Sequence, residues 1–188
     1  PSDSIDTKAT VINAAVANGM DVSLEFVVRN ILPVAGNENT LSILDAYCSK
    51  KLVDDDVFRI LNFACTCKDS KTAVGALDCL KRGNQYVLVP SKTVIAMLSE
   101  RDLTASDKIS ILDKLFEFKV EAKSVEAVMT NYLCFNQDPV ATRKEVILYL
   151  LDKSPQLPTS TVQNYVLKCA VDGNEKPAIV KAIFDKGL

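Results

Sequence analysis

The sequence predicts an all-α protein, a right-handed α-solenoid of about five helix-turn-helix hairpins. Apolar residues recur at helical spacing through nearly the whole chain. The predicted hairpins begin near residues 22, 55, 90, 122 and 158, so successive starts are 32 to 36 residues apart. One segment, NQYVLV at 84–89, has the composition of a strand, but with no second candidate to pair with it we expect an extended linker. Helix pairs of this size bury both faces only by stacking on their neighbours in chain order.

The first elements are defined by apolar stripes and by the residues that stop them. A lone helix at 6–18 ends at Gly19, and the first hairpin occupies 22–51. The second hairpin, 55–83, turns at Lys68 and ends at a glycine, as many helices do. Its buried stripes are predicted to be Val57, Ile60, Leu61 and Ala64 in the first helix and Ala73, Val74, Leu77 and Leu80 in the second.

Capping residues mark the later helices. Ser91 is placed to cap one helix, and Thr104 and Asp107 have the spacing of a capping box before another. Asp138, followed by proline, predicts a helix start at which the carboxylate accepts from first-turn amides. The helix at 105–120 is predicted to bury Ile109, Leu112, Leu115 and Phe116. The later hairpins are predicted at 90–120, 122–153 and 158–188. We expect a single array over 1–188, a fragment of a longer repeat protein.

Composition narrows the class of partner. The chain is 48% hydrophobic and 24% charged, which is typical of a globular protein with a substantial core. Its 22 basic and 24 acidic residues give a net charge of −2, so nucleic acid and anionic membranes exert no general attraction. Because no apolar stretch approaches the roughly 18 residues of a membrane span, we expect no membrane partner.

Residue types that carry catalysis are scarce. The chain has no histidine, and it lacks a glycine-rich phosphate loop. We therefore expect no enzyme activity, no cofactor and no metal site. The six cysteines lie mostly within apolar helical patterns, which favours buried thiols in an intracellular, reducing compartment, the cytoplasm or the mitochondrion. The phenylalanines are interpreted as core residues, namely Phe26, Phe58, Phe63, Phe116 and Phe184.

Two hairpins carry a resemblance to a known family. The second has Ile60-Leu61, a turn around Lys68, Ala73, and Leu80 before Lys81-Arg82-Gly83, and the last has Asn164, Val166-Leu167, Gly173, Ala178 and Lys186-Gly187. These hairpins resemble pentatricopeptide repeats. The resemblance implies a helical-hairpin array, usually organellar, that binds single-stranded RNA along its first helices. Small polar residues choose bases at a fixed place in that family, and only Asn164 matches this pattern. Tetratricopeptide and HEAT-like scaffolds have the same period range.

Five polar residues on or beside first helices are the candidates for partner binding: Asn62, Lys68, Asn131, Asn164 and Lys168. Solvated helix faces carry the same residue types, so each also fits a plain surface position. The sequence favours a non-catalytic scaffold that binds a protein or peptide. The alternative is a pentatricopeptide-type protein that binds single-stranded RNA in organellar RNA metabolism.

Overall fold

The computed structural model describes residues 4–120, 122–135, 137–153, 160, 163 and 176–185. Helices make up most of this part of the chain, which confirms the all-α class. Its ten helices are α1 (Ile5–Ala17), α2 (Leu24–Asn30), α3 (Asn37–Cys48), α4 (Asp54–Thr66), α5 (Ser70–Arg82), α6 (Ser91–Leu98), α7 (Ala105–Phe116), α8 (Ala122–Phe135), α9 (Val140–Lys153) and α10 (Lys176–Asp185). None of these described helices is long and apolar enough to cross a membrane.

Two strands of two residues each interrupt the helical pattern, β1 (Leu88–Val89) and β2 (Lys119–Val120). They form a two-stranded sheet. The prediction that 84–89 stays an unpaired linker was therefore wrong at its last two residues. The helix predicted over 105–120 ends at Phe116. The following segment, Lys119–Val120, is the second strand, for which the sequence analysis had found no candidate.

The chain divides into two compact units. The first comprises Pro1–Val87 with Glu117–Lys119, and the second comprises Leu88–Phe116 with Val120–Leu188. In the first unit, α1 packs on α3 and α3 on α5, while α2 packs on α4 and α4 on α5. In the second, α6 packs on α8, α7 on α9, and α9 on α10. Five of these contacts join a described helix to the second helix along, namely α1–α3, α3–α5, α2–α4, α6–α8 and α7–α9, which is consistent with a helical repeat.

The cores follow the predicted stripes closely in the first unit and less closely in the second. Every apolar residue predicted for the buried stripe of α4 is buried. In α7 the predicted stripe is displaced: Ile109 and Phe116 are only half-buried, whereas Lys108 and Ile111 are fully buried. The buried face of α7 is therefore Lys108, Ile111, Leu112 and Leu115.

The predicted caps differ in outcome. The capping box before α7 is confirmed, since the Thr104 amide donates to the Asp107 carboxylate at 3.1 Å and the Asp107 amide donates to Thr104 Oγ1 at 3.2 Å. The cap predicted for α6 was wrong, because Ser91 is itself the first helical residue and Pro90, which precedes it, has no side-chain acceptor. Proline restricts its own φ to the extended or helical range, so it starts the helix without a polar cap.

The end of α5 has a left-handed residue, and that residue is not its glycine. Gly83 has φ −76°, and the next residue, Asn84, has φ +53°. The Asn84 amide donates to the Lys81 carbonyl at 3.0 Å, and the Gln85 amide donates to the Leu80 carbonyl at 2.9 Å. This is the hydrogen-bond pattern of a Schellman motif, in which asparagine tolerates the left-handed position.

Candidate partner-binding surfaces

The structure separates the five residues predicted to bind a partner. Asn62 is exposed on α4, and Lys68 is exposed in the connection between α4 and α5. Both belong to the first unit, whereas Asn131 is half-buried on α8 in the second. Asn164 and Lys168 lie outside the described residues. The surfaces around Asn62 and Lys68 are therefore the ones described below.

The outer side of the α2–α4 pair is the first such surface. We define the α2–α4 face as Glu25, Phe26, Arg29, Arg59 and Asn62. Helix α2 begins after Ser23, whose hydroxyl oxygen accepts from the Phe26 amide at 3.4 Å. Because α2 packs on α4, the exposed side of each helix contributes to this face.

Ion pairs link the charged residues of the α2–α4 face. Glu25 accepts from Arg29 at 2.9 Å within α2 and lies 3.3 Å from Arg59 on α4. Arg59 also lies 3.7 Å from Asp56. Both guanidinium groups therefore already face carboxylates, and the two cations are balanced by two anions. Such pairs are worth little to stability at the surface, but they remove most of the positive field that a phosphate would meet.

Phe26 gives the α2–α4 face an apolar component. It is 52% exposed, and Phe184 is 61% exposed, so the interpretation of these two phenylalanines as core residues was wrong. Leu24 and Val27 form the buried stripe of α2. At about 100° per residue, Phe26 is turned well away from both. Phe63, in contrast, is buried as predicted.

A cavity of about 620 Å³ opens beside Lys68, and we call it the Lys68 cavity. It lies between the α2–α3 connection and the α4–α5 connection, and Phe63 and Thr66 of α4 form part of its wall. Its remaining lining residues are Leu32, Pro33, Ala35, Asn37, Thr40, Cys67, Asp69 and Thr72. Apolar walls with a few polar groups are typical of small-molecule and peptide pockets, and the volume is within their usual range of about 300–1,000 Å³.

Asp69 has a local role at the rim of this cavity. Its carboxylate accepts from the Thr72 amide at 2.9 Å and from the Thr72 hydroxyl at 2.5 Å, and it thereby caps α5. These hydrogen bonds favour the ionised form and lower the pKa of Asp69 below its ordinary value of 3.8. The carboxylate is thus held in place by its own helix.

Asp69→Ala is expected to lower the free energy of unfolding by about 1 kcal/mol at pH 7, because α5 loses its cap. The pKa of Asp69 is lower in the folded state than in the unfolded state. The stabilisation is therefore complete above the unfolded-state pKa and is lost as the pH falls through the folded-state pKa. Urea unfolding of both proteins from pH 7 to pH 2 should show the two stabilities converging in acid. A difference that stays constant down to pH 2 would contradict the charged cap.

The thiols of the first unit are free and weakly reactive. Burial raises the pKa of Cys48, Cys65 and Cys79 to about 12 each, and it raises that of the half-buried Cys67 as well. These groups are protonated near neutral pH, and a thiol is a poor nucleophile and metal ligand in that form. The described residues contain no group of three or more side chains that could hold a metal ion.

A buried polar cluster in the second unit was missed by the sequence reasoning. The Lys108 ammonium donates to the Leu98 carbonyl at 2.8 Å and to the carboxylate of Asp138. The Tyr132 hydroxyl donates to the same carboxylate at 2.7 Å. Burial, together with the hydrogen bond to Asp138 and its negative charge, raises the pKa of Tyr132 well above its ordinary value. The cluster joins α6, α7, α8 and the residue pair before α9, so its role is structural.

One feature of the sequence could have indicated this cluster, namely a lysine that shares a helix face with apolar residues. Lys108 precedes Ile111, Leu112 and Leu115 by three, four and seven residues, which is the spacing of one helix face. Asp138 was interpreted only as the start of a helix, although it is 5% exposed and provides the counter-charge for Lys108.

The chain matches no family model, no curated protein and no solved structure. The pentatricopeptide resemblance of the hairpins stays a prediction. The α2–α4 face and the Lys68 cavity are the described surfaces that bear on the predicted partner-binding residues.

Proposed function

We propose that the chain is a non-catalytic helical-repeat scaffold, a right-handed α-solenoid, which binds a protein or peptide partner. One observation carries the proposal: Phe26 is exposed on α2, the helix whose Glu25 pairs with Arg29 and with Arg59 of α4. The packing of alternate helices within each unit supports the repeat architecture.

The pairing of the arginines with carboxylates favours a protein partner over an RNA partner. Affinity for RNA depends largely on lysine and arginine side chains that neutralise phosphates. On the α2–α4 face a phosphate that approached Arg29 or Arg59 would also meet the negative charge of Glu25 or Asp56. A face of this kind has little net attraction for a polyanion.

A protein partner can use the same groups without loss. Aromatic side chains, phenylalanine among them, are enriched at protein interfaces, and so is arginine. Phe26 is such an aromatic side chain, and Arg29 and Arg59 are such arginines. Because ion pairs at a surface rearrange at low cost, carboxylates of a partner can exchange with Glu25 or Asp56.

Single-stranded RNA is the alternative partner, favoured by the hairpin resemblance and by the exposed Asn62 and Lys68. Helical repeats that read RNA place two or three polar side chains on each base. Under this alternative Asn62 would contact a base and Lys68 a phosphate.

The experiment compares capture of a protein partner with RNA binding on the same 188-residue chain. We expect the immobilised chain to retain a stoichiometric protein partner from extract of its native cells, with or without nuclease treatment. Phe26→Ser should reduce this retention at least tenfold, and Phe184→Ser, which alters an equally exposed aromatic side chain on α10, should leave it unchanged.

The same preparations are then titrated with 12-nucleotide RNAs of different sequence at near-physiological salt. We expect binding weaker than about 1 μM and without sequence preference, since few phosphates can be neutralised. Sub-micromolar, sequence-dependent binding, combined with loss of partner capture after nuclease treatment, would overturn the scaffold assignment in favour of the RNA alternative.

A further inference from the structure

A second concave surface lies at the opposite ends of the helices in the first unit. The residues that follow α3 and those that follow α5 enclose a cleft of about 560 Å³, which we call the Lys51 cleft. The lining residues that matter for its chemistry are Lys50, Lys51, Leu52, Asp54, Arg82 and Tyr86. None of the five residues predicted from the sequence to bind a partner is among them.

The walls of the Lys51 cleft are fixed by backbone contacts. Gly83 packs so closely on the end of α3 that a Cβ atom there would lie 2.2 Å from the Cys48 carbonyl oxygen. The buried amide of Gln85 donates to the Lys50 carbonyl at 2.9 Å and to the Gly83 carbonyl at 3.0 Å. One side chain thus ties the loop after α3 to the loop after α5. The cleft is therefore preformed, and binding need not order either loop.

The cleft is basic although the chain as a whole is acidic. Three of its lining residues are cationic, Lys50, Lys51 and Arg82, and one, Asp54, is anionic; the Asp45 carboxylate that pairs with Arg82 adds a second negative charge. The net charge of the whole chain, in contrast, is −2. Positive charge concentrated in a concave surface attracts anionic groups more strongly than the same charges spread over a flat one.

The cationic groups of the cleft have further N–H donors with which to bind a ligand. Lys50 donates one of its three ammonium protons to the Val16 carbonyl at 2.8 Å. Arg82 contacts Asp45 through Nη2 at 2.6 Å, which leaves other guanidinium N–H groups to meet a second carboxylate. Lys51 is exposed and lines the cleft.

An apolar component accompanies these charges. Tyr86 is 52% exposed, and its ring packs on that of Phe118 with centroids 5.8 Å apart, so it is held in one place. Half-buried Leu52 lines the same cleft. Adjacent cationic and apolar groups suit a peptide that carries carboxylates next to an aliphatic side chain.

We propose that the Lys51 cleft binds an acidic segment of a partner protein, with carboxylates on Lys51 and Arg82 and an aliphatic side chain against Leu52 and Tyr86. The inference rests on the scaffold function proposed above and names the chemistry of the partner. Asp54 in the wall and Asp45 on Arg82 disfavour the continuous phosphate chain of RNA. A peptide can place an apolar residue between its carboxylates and avoid both aspartates.

The experiment measures fluorescence anisotropy of a 12-residue peptide, four repeats of glutamate-glutamate-leucine, with an uncharged dye. The full chain should bind this peptide but not the version with lysine in place of glutamate. Lys51→Glu with Arg82→Gln should weaken binding at least tenfold. Lys8→Glu with Lys144→Gln makes the same change in net charge at exposed positions outside the cleft and should alter affinity less than twofold. Circular dichroism establishes that each variant keeps its helical content.

Lys51→Glu alone is the second variant, because an exposed loop residue can be replaced without loss of the fold. Equal weakening by the control pair would overturn the cleft assignment, as would no binding of the acidic peptide by the wild type. A 12-nucleotide oligouridylate that displaces the peptide with higher affinity would overturn it in favour of RNA. If the peptide fails while the partner is still captured through Phe26, the cleft assignment falls and the scaffold function stands.

Discussion

Asp138→Asn is expected to lower the free energy of unfolding by about 3–5 kcal/mol. The amide keeps the shape of the side chain but removes the negative charge that faces the Lys108 ammonium. The side chain of Lys108 is 0% exposed, so its charge cannot reach water without local unfolding. The Leu98 carbonyl and the Tyr132 hydroxyl are dipoles, and they do not replace a full counter-charge.

Urea unfolding followed by circular dichroism measures this loss. Asp185→Asn is the matched control, because Asp185 also pairs with a lysine, Lys181, at 2.7 Å but is 62% exposed. We expect the control to cost less than about 1 kcal/mol. Equal losses of unfolding free energy for the two variants would show that the buried pair stabilises the fold no more than the exposed one.

The double variant Lys108→Met with Asp138→Asn distinguishes the interaction energy of the ion pair from the contributions of the two individual side chains. Methionine fills the volume of the lysine stem without a charge, so no ion is left unpaired. Replacement of a buried ion pair by uncharged groups is often neutral or stabilising, whereas removal of one partner is costly. We therefore expect the double variant to be more stable than Asp138→Asn alone, and additivity of the two single losses would contradict the coupling.

Local patterns predicted the helices well because the relevant forces act within a few residues. The stripe of Val57, Ile60, Leu61 and Ala64 repeats at helical spacing, and all four residues are buried. The capping box of Thr104 and Asp107 depends on residues three apart, and both of its hydrogen bonds are present. Features of this kind need no knowledge of the tertiary fold.

Long-range pairing accounts for what was missed. Lys108 and Asp138 are 30 residues apart, and neither neighbourhood indicates the other, so Lys108 was not included in the buried stripe predicted for α7. The pairing of Leu88–Val89 similarly depends on a helix that ends early at Phe116.

The candidate surfaces were harder to predict than the helices. Asn62 and Lys68 were selected by residue type and are exposed, but exposure alone does not distinguish a binding site from a solvated helix. Phe26, the exposed residue on which the proposed scaffold function rests, was assigned to the core because it lies within an apolar pattern. The Lys51 cleft arises where two loops meet, and Lys51 and Arg82 become neighbours only through the packing of α3 on α5.

Gly83→Ala is expected to lower the free energy of unfolding by about 3 kcal/mol, at the upper end of the usual loss from overpacking. The φ angle of −76° is open to alanine, so backbone strain contributes nothing and the steric contact alone decides the outcome. A Cβ atom would lie 2.2 Å from the Cys48 carbonyl oxygen and 3.0 Å from its carbonyl carbon. These are backbone atoms at the end of α3, and they can move only if α3 and α5 separate.

Gly75→Ala is the matched control within the same helix. A Cβ atom at Gly75 would lie 2.6 Å from a methyl carbon of Leu41, but that methyl group is the end of a flexible side chain. Alanine also favours the helix interior over glycine by about 1 kcal/mol, which offsets the repacking of Leu41. We therefore expect little net change for Gly75→Ala under urea unfolding. Because Gly83 also forms a wall of the Lys51 cleft, Gly83→Ala should weaken acidic-peptide binding and Gly75→Ala should not. If Gly83→Ala proves as stable as Gly75→Ala, the close approach of α5 to Cys48 does not limit the packing of the two hairpins.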